Sequence, residues 1–235
     1  MKKKIRIRFI LLIVVGIVII LTNSCKKDVK YDIYDIDGNG YYTVTIGMQV
    51  WMAENLKTTK YNNGINIPNV TDIDTWAYLS IPAYCWYGND IANKPTYGAL
   101  YNWYTVERGN LCPTGWHVPT DAEWHAMENY VDPSINDPNA MGERGTDGGT
   151  NLKATSNWNS GGNATDNFGF SALPGGGRYS FSGSFYFEGY YGYWWSSTET
   201  GASSAWSRLM MFDYGSVFRY AYDKRDGYSV RCVKD

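Results

Sequence analysis

The sequence is poor in the residues on which metal and redox sites depend. It has two histidines and four cysteines in 235 residues, and no two cysteines form a C-x-x-C pair. This spacing argues against a zinc ribbon and a thioredoxin-like redox site. No Gly-x-Ser-x-Gly nucleophile elbow is present either. The glycine cluster Gly175–Gly177 has no Lys-Ser or Lys-Thr after it, so it predicts close backbone packing rather than phosphate binding.

Positive charge is scarce outside the first eight residues. Five of the 21 Lys and Arg residues lie in Met1–Arg8, and the other sixteen stand against 23 Asp and Glu, a balance of −7. A nucleic-acid partner is excluded on this ground, because it requires a basic footprint. Long apolar runs are also missing. The longest, Phe9–Leu21, has 13 residues, and a membrane-spanning helix needs about 20.

The N-terminus predicts export and lipidation. A basic segment, a short apolar segment and Ser24-Cys25 follow one another, as in a secretory signal. The cysteine at the junction resembles a bacterial lipoprotein signal, in which Cys25 is lipidated and becomes the first mature residue. We therefore expect a signal peptide at 1–24, a lipidated tether at 25–34 and one domain at 35–235, anchored to the outer membrane or cell surface. An uncleaved anchor helix is the alternative.

Aromatic residues are abundant, at 17% of the chain, with 21 Tyr and 10 Trp. Such a chain buries a large core and still has Tyr and Trp for a binding surface, where these residues are favoured. Disulfides form outside the cytoplasm. We predict a disulfide between Cys112 and Cys232, which leaves Cys85 as a buried free thiol.

The first motif of the domain, Asp35–Gly40, partly matches an EF-hand loop. Position 12 of that loop would be Ile46, where calcium requires a bidentate Glu. Asn39-Gly40 is a hairpin signal, so we predict a turn followed by a strand over Tyr41–Ile46, and no metal site.

Two segments predict helices. In Tyr97–Glu107, Trp103 and Tyr104 belong to an apolar set at helical spacing. Thr120 and Glu123 form a capping box, which predicts a helix over Asp121–Tyr130. Its inner face would carry Trp124, Met127 and Val131. We predict long loops with short strands over 58–87, irregular loops over 134–164, and a meander of short strands from Tyr193 to Asp235 that ends in the strand Tyr228–Val233.

Several motifs follow one another along the chain: Asp37–Asn39, Ile46–Gly47, Trp51–Leu56, Leu100–Trp103, Cys112–Thr120, Gly169–Gly176, Trp194–Glu199 and Ser229–Val233. Their order resembles the Fibrobacter succinogenes major paralogous domain. The resemblance covers about Ile33–Asp235.

The resemblance implies an α+β domain with a fold similar to C-type lectins and the formylglycine-generating enzyme. We then expect two short helices packed on short antiparallel strands, long loops, and termini that lie close together. That enzyme uses a cysteine pair near the C-terminus, where this chain has only Cys232. His117 and His125 are interpreted as satisfied or solvated, with His125 facing outward. We predict no catalytic residues and no cofactor.

The predicted ligand surface is in the C-terminal meander. From Met211 to Asp223, Val217 and Arg219 alternate with an aromatic set. The family pattern resembles one in which Val217 and Arg219 are fixed and face inward. This predicts a ligand-binding cluster exposed on the other side, formed by Tyr214, Phe218, Tyr220 and Tyr222. The alternative places the aromatic residues in the core, because an inward Arg is costly unless paired.

The sequence therefore predicts a lipid-anchored binding or adhesion module. Its partners would be the membrane, through the lipid, and a glycan or an extracellular protein. Two alternatives remain: an enzyme derived from the formylglycine-generating fold, and a structural envelope lipoprotein without a dedicated ligand.

Overall fold

The computed structural model describes residues 30–159 and 162–235. The predicted signal peptide and the lipidation site Cys25 lie outside the described residues. A compact unit extends from Tyr31 to Asp235 and contains both helices and strands, as an α+β domain does. No helix in the described part of the chain has the length and apolar character of a membrane span.

Short strands dominate the described residues, and the helices are shorter than four turns. The strands are β1 (Ile33–Tyr34), β2 (Gly40–Tyr41), β3 (Thr43–Ile46), β4 (Gln49–Met52), β5 (Tyr84–Cys85), β6 (Leu100–Tyr101), β7 (Trp116–His117), β8 (Gly142–Arg144), β9 (Gly175–Arg178), β10 (Phe185–Glu188), β11 (Tyr191–Gly201), β12 (Ser204–Met211), β13 (Val217–Asp223) and β14 (Val233–Lys234). The helices are α1 (Ile73–Ala77), α2 (Lys94–Tyr97), α3 (Trp103–Val106), α4 (Asp121–Val131) and α5 (Gly148–Leu152).

A six-stranded sheet is the centre of the domain. Its order is β10-β9-β11-β12-β13-β8. β11, β12 and β13 form the antiparallel meander that the C-terminal composition predicts. β9 lies parallel to β11. A Cβ at Gly176 would lie 2.5 Å from the carbonyl oxygen of Tyr186, so the close backbone packing predicted for the glycine cluster is confirmed.

The two faces of this sheet differ. One face packs against α4 and α5, and its core includes Trp124, Leu152, Trp194 and Val217. The opposite face carries Tyr193, Trp195, Leu209 and Phe218, and it is packed in part by residues of β6 and α3. The alternation along β11–β13 therefore separates two cores, as the two-residue period of a strand requires.

A second sheet brings the two ends of the domain together. Its order is β3-β4-β14-β7, so the C-terminal strand lies between strands from the N-terminal half. The disulfide joins Cys112 and Cys232, as predicted, and Cys85 is buried with a free thiol. The predicted strand Tyr228–Val233 is wrong in length. Only its end belongs to β14, and the residues before it make isolated bridges to other segments.

Helix α4 confirms the capping box. The Thr120 side chain accepts a hydrogen bond from the Glu123 N–H, and the Glu123 side chain accepts one from the Thr120 N–H. Trp124, Met127 and Val131 are buried on its inner face. Capping satisfies backbone donors that the first helical turn leaves free, which fixes where the helix begins.

The predicted helix over Tyr97–Glu107 is wrong in its first half. Gly98 has φ +74°, and a Cβ there would lie 2.7 Å from the carbonyl oxygen of Leu56. The chain therefore turns at Gly98, and the next residues form β6 paired with β5. Only α3 remains helical, capped by Asn102, whose side chain accepts a hydrogen bond from the Thr105 N–H.

Regular structure also occurs where the sequence predicted loops or a tether. α1 lies within 58–87 and is capped by Asp72. β8 and α5 lie within 134–164, and β1 lies within the predicted tether 25–34. The Asp35–Asn39 turn explains β1, because the Asp35 carboxylate accepts hydrogen bonds from two backbone N–H groups of the turn and from the Tyr41 hydroxyl. These local hydrogen bonds confirm the turn interpretation of the Asp35 motif.

A buried ion network holds α4 to the sheet. Arg219 is 3% exposed, faces α4 and pairs with Asp121, with Nη2 at 2.7 Å from Oδ2. Arg208 pairs with both Asp121 and Glu128, and Arg144 pairs with Glu128. The predicted inward orientation of Val217 and Arg219 is confirmed, and pairing with Asp121 compensates the buried guanidinium of Arg219.

Candidate functional site

Aromatic side chains form a continuous surface on the sheet face opposite α4. We call this surface the aromatic face and define it by Tyr186, Phe187, Tyr191, Tyr193, Phe218, Tyr220 and Tyr222. Its rings touch in sequence across the strands, with centroids 5.6 Å apart for Tyr186 and Tyr193, and 6.0 Å apart for Tyr193 and Tyr222. Apart from Tyr193 and Phe218, these residues are only half-buried or exposed. No helix of the described chain covers them as α4 covers the other face.

The four residues predicted as the ligand-binding cluster lie together, but they are not equally exposed. Tyr214 is 42% exposed, and Tyr220 and Tyr222 are half-buried. Phe218 is 6% exposed, so the prediction that it is exposed is wrong. Its ring lies 5.3 Å from that of Tyr214 and 6.2 Å from that of Tyr220, and these neighbours help to cover it.

The sequence-based prediction did not include the residues of the aromatic face that lie on β10 and β11, which precede the predicted cluster in the chain. Tyr186 and Phe187 lie on β10, and Tyr191 and Tyr193 lie on β11. The density of Tyr and Phe between Phe181 and Tyr193 was a usable signal in the sequence. What the sequence did not provide was the order of strands β10-β9-β11-β12-β13, which places this segment in the same sheet as β13.

A pocket of about 390 Å³ opens at the edge of the aromatic face. This volume lies in the range of small-ligand sites. Aromatic rings make most of its wall, and two serines of the β9–β10 turn complete it. The lining residues are Tyr179, Ser182, Ser184, Tyr186, Phe187, Tyr193, Tyr222 and Tyr228.

A chain of hydroxyl groups connects this pocket to a buried carboxylate. The Tyr186 hydroxyl donates to that of Tyr228 at 3.2 Å, and the Tyr228 hydroxyl donates to Asp226 Oδ2 at 3.3 Å. Asp226 Oδ1 accepts a hydrogen bond from the Ser180 N–H at 2.7 Å. Burial raises the pKa of Asp226 to about 6, since water that would stabilise the charged carboxylate is removed. Burial likewise raises the pKa of Tyr222 to about 12.

Protonation of Asp226 should therefore make the free energy of unfolding depend on pH. Because the folded state raises this pKa from 3.8 to about 6, the folded chain binds the proton more tightly than the unfolded chain. The stabilising contribution is fully present below about pH 4 and is lost as the pH rises through about 6. The shift corresponds to about 3 kcal/mol.

We expect Asp226→Asn to remove this dependence. Between about pH 4.5 and about pH 7.5, wild type should lose about 2–3 kcal/mol relative to the variant. Urea unfolding at both pH values measures it. The charged or titratable neighbours, which include Asp223, Arg225, Tyr186 and Tyr228, are unchanged in the variant. Parallel pH profiles for the two proteins would contradict the prediction.

The two histidines take part in local charge pairs. His117 lies between two carboxylates: its Nε2 is 2.8 Å from Glu123 Oε1, and its Nδ1 is 2.6 Å from Asp235 Oδ1. Burial lowers its pKa, but the hydrogen bonds to these carboxylates outweigh burial and raise the pKa overall. His125 is half-buried against Arg144 at 2.7 Å, so the prediction that it faces outward is wrong. In residues 30–159 and 162–235, no group of three His, Cys, Asp or Glu residues is placed to hold a metal.

The family assignment rests on a match over most of the domain. The family model described as "Fibrobacter succinogenes major domain" matches residues 44–234. The chain belongs to this family. No curated protein and no solved structure matches the chain.

The motifs that resemble the Fibrobacter succinogenes major domain build the core of this member. Asn55 connects three of these motifs through hydrogen bonds. Its Oδ1 accepts hydrogen bonds from Trp194 Nε1 and from Arg231 Nη2, both at 2.9 Å. Its amide nitrogen donates to the Ser229 hydroxyl at 3.2 Å. None of the seven residues that define the aromatic face lies within these motifs. The family resemblance therefore accounts for the scaffold and does not account for the aromatic face.

Proposed function

We propose that this member of the Fibrobacter succinogenes major domain family is a lipid-anchored binding and adhesion module. The aromatic face would recognise a glycan or an extracellular protein. The observation that carries the proposal is that one side of the central sheet is covered by α4 and α5, whereas the other presents connected Tyr and Phe rings around a pocket. Contiguous exposed apolar surface of this kind marks interaction sites, and Tyr is the residue type such sites favour.

The anchor belongs to the same proposal. Cys25 would carry the lipid, and the compact unit begins at Tyr31. Six residues span at most about 20 Å when fully extended. The binding domain would therefore stay close to the membrane that holds the lipid. We propose that this membrane is the outer membrane or the cell surface.

The finer fold is also part of the proposal. Short helices on antiparallel strands, together with β14 between strands from the N-terminal half, support a C-type lectin-like or formylglycine-generating-enzyme-like arrangement. An enzyme on this scaffold is the second candidate. It would require a redox-active cysteine near the C-terminus, and Cys232 is instead buried in the disulfide with Cys112. This pairing favours binding over catalysis.

An array of glycans and envelope proteins tests the proposed function. Full-length chain is compared with Tyr220→Ala/Tyr222→Ala, which removes two half-buried rings of the aromatic face. We expect the variant to bind its ligand at least about tenfold more weakly, because truncation of a central aromatic residue has effects of this size. Tyr78→Ala/Tyr130→Ala is the matched control, since both tyrosines are more than half exposed and neither belongs to the aromatic face.

Thermal unfolding of each variant verifies that it is folded. Unchanged binding by the Tyr220→Ala/Tyr222→Ala variant would contradict the assignment of the site to the aromatic face. Absence of binding by wild type, with calcium and without it, would contradict the binding function itself.

A further inference from the structure

Several rings that line the pocket beside the aromatic face stand nearly perpendicular to their neighbours, while Tyr193 and Tyr228 are stacked with an angle of 10° between them. The Tyr186 ring makes angles of 89° with Tyr179, 88° with Phe187 and 77° with Tyr193. The Tyr222 ring makes an angle of 83° with Tyr193. The centroids of these pairs are 5.3 to 6.0 Å apart. Rings at right angles present both their flat sides and their edges toward a shared space. The flat side of each ring carries the negative part of its quadrupole.

The carboxylate behind these rings has no cationic partner. Asp226 is 2% exposed, and no Lys, Arg or His of the described residues lies within ion-pair distance of it. The two cations next to it in sequence are engaged elsewhere, Lys224 with Glu199 at 2.8 Å and Arg225 with Asp223 at 2.7 Å. Buried charges in proteins are normally paired. An unpaired carboxylate behind an aromatic pocket is therefore the unusual feature of this site.

We propose that the pocket binds a small organic cation of the alkylammonium class. The faces of the tyrosine rings would contact the methylated ammonium, and Asp226 would supply the opposite charge through the Tyr228 and Tyr186 hydroxyls. Alkylated ammonium groups are recognised by cages of aromatic rings because cation–π attraction and desolvation act together there. The net negative charge of the chain outside its first eight residues attracts such a ligand rather than an anion. This inference rests on the proposed binding function and names the ligand chemistry of its pocket.

Calorimetric titration of the full-length chain tests the inference with a matched pair of probes. Choline carries a trimethylammonium group, and 3,3-dimethyl-1-butanol has the same shape with a neutral carbon in place of nitrogen. We expect saturable binding of choline and binding of the neutral alcohol that is at least about tenfold weaker. The comparison uses the wild-type protein alone, so it does not depend on whether any variant folds.

Variants then assign the effect to residues. Asp226→Asn keeps the side-chain shape and an oxygen acceptor for the Ser180 N–H, and it should weaken choline binding at least about tenfold. Tyr222→Ala should weaken it as well, whereas Tyr130→Ala, which is 58% exposed and outside the pocket, should leave it unchanged. Phosphocholine and trimethyllysine, titrated in parallel, distinguish a lipid or glycan headgroup from a methylated side chain as the source of the cation.

Two outcomes would overturn the inference. Equal binding of choline and the neutral alcohol would show a pocket that selects shape and apolar surface only. If choline does not bind but the chain still binds its array ligand through the aromatic face, the proposal that the pocket binds an organic cation is overturned. The proposed binding function is not affected by that result. If neither choline nor any array ligand binds, the proposed function is overturned with it.

Discussion

Replacing both Cys112 and Cys232 with alanine is expected to lower the free energy of unfolding by about 2–5 kcal/mol. The disulfide joins residues 120 positions apart. In the chain-entropy account, closing a loop of that length restricts the unfolded chain by about 5 kcal/mol, which is the upper end of the expected effect. The bond also holds the segment before β7 next to β14, the strand that unites the two ends of the domain.

Chemical unfolding with and without a thiol reductant measures the effect. Wild type should lose stability when reduced, whereas the Cys112→Ala/Cys232→Ala variant should be insensitive to reductant. Cys85→Ala is the matched control. This thiol is buried and free, so the variant should keep the full response to reductant. A double variant as stable as oxidised wild type would contradict the prediction.

Glu128→Gln is expected to destabilise the protein by about 3–5 kcal/mol. Its carboxylate is fully buried and contacts Arg144, at 3.0 Å, and Arg208. Removing this charge leaves three buried arginines with Asp121 as the remaining carboxylate of the network. Breaking one partner of a buried pair is costly because the other charge stays in a poorly solvated site. The midpoint of thermal unfolding should fall by roughly 6–20 °C for a domain of this size.

Glu107→Gln provides the control for the same chemical change at an exposed position. We expect it to alter stability by no more than about 0.5 kcal/mol. Differential scanning calorimetry of the three proteins makes the comparison. Equal melting temperatures for Glu128→Gln and Glu107→Gln would show that the ion network does not hold α4 to the sheet.

Local signals in the sequence predicted the parts of the fold that local chemistry determines. The Thr120–Glu123 capping box fixes the start of α4 because both partners lie within one helical turn. The Asp35 turn is equally local. The helix over Tyr97–Glu107 failed because its apolar spacing matched a helical period, while the contact of Gly98 with the backbone near Leu56 is non-local.

The candidate site was predictable only in part for a related reason. Alternation along β13 correctly separated Val217 and Arg219 from Phe218, Tyr220 and Tyr222, because a strand has a period of two. It could not show that Tyr214 and Tyr220 help to cover Phe218, or that β9 lies between β10 and β11 and joins them in one sheet. Asp226 carried no sequence signal, since its importance comes from the rings that surround it.

The claim that the aromatic face is the ligand surface is tested most directly by side-chain footprinting. Hydroxyl-radical oxidation of the full-length chain is measured with and without the glycan or protein retained on the array. The account predicts reduced oxidation of Phe187, Tyr220 and Tyr222 in the complex and no change at Tyr78, which is 83% exposed. Unchanged oxidation of the aromatic face, with protection elsewhere on the domain, would contradict it.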